Sequence, residues 1–272
     1  MIERLQIESG RNEVSFRIRR SANARVSVVF IHGFPFHSAM WLSQLEALPD
    51  DVQGIAYDIR GFGNSSTDHH FYSTDLFARD LLDLISSLQL DKVVLCGISM
   101  GGYVALRAAE IAPERVSGLI LCDTNAGADS NEAKLRRFAS IDQVLYSGTE
   151  VFADDFMSKL FSEKTCSSNP ALCDFIREMI VHAPVPVICA TQLALASRTD
   201  TLSLLPLIDV PVLVIRGRAD KLTTPEQASI LSSRIRQAEA EEIADTGHLP
   251  NCEAPADFNR LMNQYLSKHF LS

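Results

Sequence analysis

Lys92-Val93-Val94-Leu95-Cys96-Gly97-Ile98-Ser99-Met100-Gly101-Gly102 is the stretch on which the fold turns. It begins as a short apolar run rich in valine and ends by opening an Ala-rich segment, Met100–Ile111, that Pro113 closes. A strand therefore passes into a helix through Gly97-Ile98-Ser99-Met100-Gly101. The reversal is sharp, so the residues flanking the serine must be small. Such a turn carries the serine oxygen to the carboxyl edge of the sheet. It lies there beside a helix N-terminus whose free N–H groups favour developing negative charge. Three fixed letters match by chance in roughly one chain in ten of this length, so the strand-to-helix context carries the signal. The plain alternative is a glycine-rich turn that cradles phosphate. Its fingerprint, G-x-G-x-x-G at the first βα turn, is missing from the sequence.

On either side of this stretch, strand and helix patterns alternate. Leu5–Glu8 and Glu13–Arg19 alternate apolar and polar residues around Gly10-Arg11-Asn12, a hairpin at a sheet edge. Val26–Ile31 and Val52–Tyr57 are core strands, and Val116–Cys122, Pro211–Ile215 and Ala240–Ile243 are further strand candidates. Met40–Leu48, Asp75–Leu88 and Ala256–Phe270 have helical spacing. This alternation predicts an α/β fold, a mostly parallel eight-stranded sheet with helices on both faces. One segment breaks the rhythm. Residues 124–206 hold no clear strand, only helix-like patches such as Glu132–Leu145 and Val151–Phe161. They are expected to form a helical cap inserted into a core made of 1–123 and 207–272.

The chain has 272 residues, enough to bury one large core without metals or disulfides. Its net charge of −9 and the lack of a Lys/Arg cluster argue against nucleic acid as a partner. Met1-Ile2-Glu3-Arg4-Leu5 is not a signal-peptide start, and the longest uncharged apolar stretch, Ala183–Ser197, is too short to span a bilayer. A cytoplasmic protein with no membrane partner is therefore expected, provided the chain is full length. None of the six cysteines forms a C-x-x-C pair, which speaks against zinc. In that compartment Cys166 and Cys173 are expected to stay reduced. Oligomeric state is not legible.

A serine hydroxyl needs a base to act as a nucleophile. Of the seven histidines, His248 in Asp245-Thr246-Gly247-His248-Leu249-Pro250 follows the last strand, at the same sheet edge as Ser99. Three acids are candidates to orient it. Asp220 follows the strand ending at Ile215 and gives the chain order serine, acid, histidine. Asp123 follows the preceding strand, and Asp245 sits three residues from the histidine, where it more naturally shapes the loop. The acid's role in each case is to orient the imidazole and stabilise its charged form. Two backbone amides would hold an oxyanion: that of Met100, and that of Phe34 in His32-Gly33-Phe34-Pro35 after the first core strand.

Together these residues resemble the α/β-hydrolase superfamily. Asp58-Ile59-Arg60-Gly61-Phe62-Gly63-Asn64-Ser65 resembles its D-x-R-G-x-G-x-S loop, which supports the site structurally. Ile208–Ile215 with Gly217 and Asp220 resembles the segment leading to its acid, and Gly247-His248 with Glu253 and Pro255 its histidine segment. Within the superfamily, Gly97–Ala105 and Cys122-Asp123-Thr124 are most similar to the enol-lactonase and small carboxylesterase group. The resemblance covers nearly the whole chain and is weakest at 124–206, where the superfamily places its variable helical cap.

The resemblance implies a serine hydrolase acting on a small-molecule ester or lactone through an acyl-enzyme, with no cofactor and no metal. Catalysis would rest on Ser99, Asp220 and His248, with Asp123 as the alternative acid and Phe34 and Met100 as oxyanion donors. Two other readings stay open: a cofactor-free perhydrolase or haloperoxidase using the same residues, and a non-catalytic ligand-binding protein on this fold. Phe138, Leu145, Phe156 and Met157 are expected to shape an acyl pocket. Trp41 is a candidate for the site entrance. Arg136, Arg137, Arg177 and Arg198 are candidates for an anionic substrate, although solvated surface is the plainer reading for each.

Overall fold

A computed structural model describes residues 2–9, by their backbone, and 12–271. Gly10 and Arg11, on which the predicted hairpin turn falls, lie outside the described residues. Eight strands form one sheet in the order β1-β2-β4-β3-β5-β6-β7-β8. β1 (Ile2–Ser9) and β2 (Asn12–Arg19) pair antiparallel at one edge, and β2 runs antiparallel to β4 (Val52–Tyr57). From there β4, β3 (Val26–Ile31), β5 (Val93–Ile98), β6 (Gly118–Cys122), β7 (Val212–Gly217) and β8 (Ala238–Ile243) are all parallel. β3, β5, β6 and β7 are buried along their whole length, as strands covered on both faces must be. β8 reads Ala-Glu-Ala-Glu-Glu-Ile and leaves its three middle residues, Ala240, Glu241 and Glu242, exposed; such a charged edge resists pairing with another chain.

Helices cover both faces. They are α1 (Leu42–Ala47), α2 (Thr74–Ser87) and α3 (Met100–Ile111), then α4 (Asn131–Leu160), α5 (Thr165–Ser168), α6 (Pro170–Val181) and α7 (Val185–Ala196), and finally α8 (Pro225–Arg234), α9 (Pro250–Glu253) and α10 (Pro255–Leu266). α2 shows how the sequence sets a boundary. The Ser73 side chain caps it by accepting from the Leu76 N–H at 3.0 Å, and Phe77, Leu81, Leu84 and Ile85 bury one stripe against the core. α10 packs over β6 and α1 over β4. A Cβ on Gly118 would stand 2.5 Å from the Tyr265 hydroxyl, and one on Gly54 2.4 Å from Leu48.

All of α4 to α7 falls between β6 and β7. α4 is broken at Gly148, whose φ of 83° and ψ of 171° are non-helical. The two predicted patches, Glu132–Leu145 and Val151–Phe161, are the two limbs of this helix. Cys166 and Cys173 do not stay reduced. The turn from α5 into α6 brings their Cα atoms to 5.6 Å, and they form a disulfide. Spacing in sequence does not disclose that separation. Among the described residues no single helix is long and apolar enough to cross a membrane; by length and composition, α6 and α7 pass together only as a pair bent by 90°.

Candidate active site

Ser99 caps α3 with φ 53° and ψ −117°, a conformation that costs a side-chain-bearing residue on the order of 1–3 kcal/mol. The neighbours hold it there. Its N–H donates to the Cys122 carbonyl at 2.9 Å, and its own carbonyl accepts from Thr124 Oγ1 at 2.7 Å and from the Gly102 N–H at 2.9 Å. The small residues of the motif are required by contact. A Cβ on Gly97 would lie 2.3 Å from the Gly101 carbonyl oxygen, and one on Gly101 2.2 Å from that of Ile31.

His248 and Asp220 meet from the loops after β8 and β7. His248 Nδ1 bonds Asp220 Oδ2 at 3.0 Å, and both side chains are buried. Asp220 Oδ2 also accepts from the Thr223 N–H at 3.2 Å and from the Thr223 hydroxyl, while Oδ1 accepts from the Leu222 N–H at 2.8 Å. Burial alone would raise the pKa of this carboxyl. The charge and hydrogen bond of His248, with those of Thr223 and Leu222, outweigh burial and hold it well below the usual carboxylate range.

The histidine loop is tied to the helical segment at two points. The His248 N–H donates to the Leu160 carbonyl at 2.7 Å. Glu253 Oε1 accepts from the Gly247 N–H at 2.7 Å, and its Oε2 accepts from the Ser162 N–H at 2.9 Å and the Thr165 hydroxyl at 2.5 Å. Asp245 is exposed, at φ 57°, in the turn before the histidine. Asp123 is buried after β6 and lies near both partners, but the imidazole bonds Asp220.

Ser99, His248, Phe34 and Met100 line one cavity of about 410 Å³. Met100 opens α3, so its N–H has no acceptor within the helix. The Phe34 loop presses on the serine: a Cβ on Gly33 would lie 3.4 Å from Ser99 Cβ. His32 braces this loop from below. Its Nδ1 donates to the Gly33 carbonyl at 2.8 Å and its Nε2 accepts from the Ile59 N–H at 2.9 Å. Burial lowers its pKa to about 4, so it is neutral at neutral pH. Asp58 reinforces the brace, accepting from the Ser38 N–H at 2.8 Å and the Asn64 N–H at 2.9 Å. The D-x-R-G-x-G-x-S loop therefore supports the site from outside the cavity.

One wall is aromatic. Phe34, Phe152 and Phe156 have ring centroids 5.8–6.3 Å apart. Phe156 is thus on the cavity, as expected, but its three companions are not. Phe138 and Leu145 are 44% and 56% exposed, and Met157 packs against the core. The break at Gly148 re-aims one limb of α4 relative to the other, which a continuous helical pattern does not reveal. Trp41 is core, between Phe30 and Phe258.

The other wall is polar and rich in cations. Arg136, Arg137, Lys159 and Arg198 face it, against Asp129 and Asp155. Asp129 binds both Arg137 and Arg198. The Arg198 guanidinium also lies 4.1 Å from the Tyr103 ring centroid. Arg177 is elsewhere, paired with Asp154 at 2.8 Å. Tyr103, Asn125 and Gln192 also line the cavity and carry no motif that would single them out. Thr223 likewise stands in no motif and is found only through its bonds to Asp220.

A strained serine after β5, a histidine–carboxylate pair after β7 and β8, and a mostly parallel sheet define a class of enzyme. The chain belongs to the alpha/beta hydrolase family, whose profile it matches over residues 28–261. It is 27% identical over 244 residues to 3-oxoadipate enol-lactonase 2 of Acinetobacter baylyi, covering 90% of each chain. Its structure superposes on a thermophilic esterase from Thermogutta terrifontis with a TM-score of 0.92 and 34% identity, covering 98% of this chain and 99% of that one. It superposes on the enol-lactonase from Burkholderia xenovorans LB400 with a TM-score of 0.89 and 27% identity, covering 97% and 100%.

Proposed function

We propose that the chain hydrolyses a small carboxylic ester or lactone through an acyl-enzyme. The observation that carries this reading is the 3.0 Å bond from His248 Nδ1 to a buried, ionised Asp220, with His248 and the strained Ser99 on one cavity. With Nδ1 committed to Asp220, His248 Nε2 is the atom left to take the Ser99 proton. Ser99 Oγ then attacks the acyl carbon, and the amides of Phe34 and Met100 hold the resulting oxyanion. His248 returns the proton to the departing alkoxide, which in a lactone stays tethered to the acyl group. Water, activated by His248, attacks the acyl-enzyme and frees the acid.

A cavity of about 410 Å³ is at the lower end for small-molecule sites and suits a compact substrate. The helices between β6 and β7 supply Phe152, Phe156, Arg136 and Arg137 to its walls, so residues 124–206 serve as the cap that chooses the substrate. Ser99→Ala should abolish hydrolysis of p-nitrophenyl acetate while the circular dichroism spectrum stays native. Activity that survives in this variant rules the mechanism out.

A further inference from the structure

The mechanism above leaves a buried carboxyl group unused beside its acid. Asp123 follows β6 at φ 39°, in the left-handed region that side-chain-bearing residues avoid, and is 2% exposed. Its N–H donates to the Ile215 carbonyl at 3.0 Å, which ties it to β7. Its Oδ1 accepts from the Gly217 N–H at 3.0 Å. Its Oδ2 is buried and, among the described residues, no N–H or O–H donates to it. One carboxylate oxygen of Asp123, one of Asp220 and one ring nitrogen of His248 all lie within 4.8 Å of one another.

Two carboxylates cannot both keep their charge in this arrangement. At that separation and an effective dielectric of 20, their repulsion is about 3 kcal/mol, and the bare Oδ2 adds the cost of a buried anion without a donor. One proton between them removes both penalties, because the new O–H is a donor and the other carboxylate an acceptor. The donors decide which oxygen carries it. Asp220 receives four: His248 Nδ1, the Leu222 and Thr223 N–H groups and the Thr223 hydroxyl. Asp123 receives one, from Gly217.

We infer that Asp123 is held as a neutral carboxylic acid whose Oδ2–H donates to the Asp220 carboxylate, so that it positions the acid of the site and is not a substitute for it. The inference rests on the reading of Asp220 and His248 given above. Burial, and then the Asp220 charge, raise the Asp123 pKa well above the ordinary carboxylate range, in agreement with the geometry. Its effect is to fix the rotation of Asp220, and through it the plane of the His248 ring.

Infrared difference spectroscopy between the wild type and Asp123→Asn at neutral pH reads the proton directly. The wild type should show the C=O stretch of a protonated carboxylic acid that the variant lacks. Kinetics reads the role. Asparagine keeps both an acceptor for Gly217 and a donor for Asp220, so Asp123→Asn should hold kcat within about threefold. Asp123→Leu, which has neither, should lose kcat roughly tenfold or more at unchanged KM. Asp220→Asn should lose on the order of 10⁴-fold. Absence of the infrared band, or a fall in Asp123→Asn as deep as in Asp220→Asn, overturns the inference, and the infrared result stands even if Asp123→Leu does not fold. If Asp220→Asn stays active while Asp123→Asn is dead, the acid assignment itself fails and takes this inference with it.

Discussion

His32 carries no chemistry, yet the Phe34 loop hangs on it. As a neutral ring it bridges the Gly33 carbonyl and the Ile59 N–H, and both bonds need one bare and one protonated nitrogen. Burial sets its folded pKa to about 4 against 6.5 for a free histidine. Below pH 6.5 the unfolded chain takes up a proton that the folded chain refuses, so stability falls as pH drops from 6.5 towards 4. The full loss is about 3 kcal/mol. Urea denaturation across that window should show a shallower pH slope in His32→Asn than in the wild type, whatever the variant's stability at pH 7. An unchanged slope would mean that His32 is not the group responsible. At this scale the sequence discloses much of the site. Ser99, Asp220 and His248 each follow a predicted strand, and strand ends share one edge. The roles of Asp123, Thr223 and Glu253 are not legible there, because each depends on which atoms face one another across loops.

Elements differ in how plainly the sequence announces them. β3, β4 and α3 have the bounds their patterns predict, because apolar runs and Pro113 leave one solution. The closing helix stops at Leu266, short of the predicted Phe270, and gives way to a wider turn. α8, whose capping box joins Thr224 and Gln227, has too weak an apolar stripe to be noticed. The helices between β6 and β7 pack largely on one another and so carry broader patterns. Glu253 is where this segment meets the core. It binds Gly247 beside the histidine and both Ser162 and Thr165 beside Cys166. Glu253→Ala removes three charge-assisted bonds at once, each worth about 1.5–3 kcal/mol singly, though the losses are not additive. We expect thermal unfolding to fall by several degrees and kcat to fall with it, as the His248 loop loosens. A variant with wild-type kcat would show that Glu253 matters to stability alone.

Across the whole molecule, the charge of the chain and that of its cavity have opposite sign. The chain carries a formal −9, yet four cations and two carboxylates face the cavity. For the hydrolase proposed above, a net positive wall inside an acidic protein predicts a preference for an acyl group that bears its own carboxylate. Half-esters of a dicarboxylic acid should show KM several-fold below neutral esters of equal length. That advantage should shrink with added salt and in Arg136→Gln, and equal KM values in low salt would refute it. The mostly parallel sheet that carries this site is foreseeable from the βα alternation, whereas its strand order is not, and the cavity walls depend on where α4 breaks.

If Ser99 is the nucleophile of a hydrolase, covalent labelling reads it most directly. After reaction with a fluorophosphonate, mass spectrometry should find one adduct, on the peptide that carries Ser99, with ester hydrolysis lost in proportion to labelling and no adduct in Ser99→Ala. An adduct on another residue, or full turnover in chains fully labelled at Ser99, would rule Ser99 out as the nucleophile.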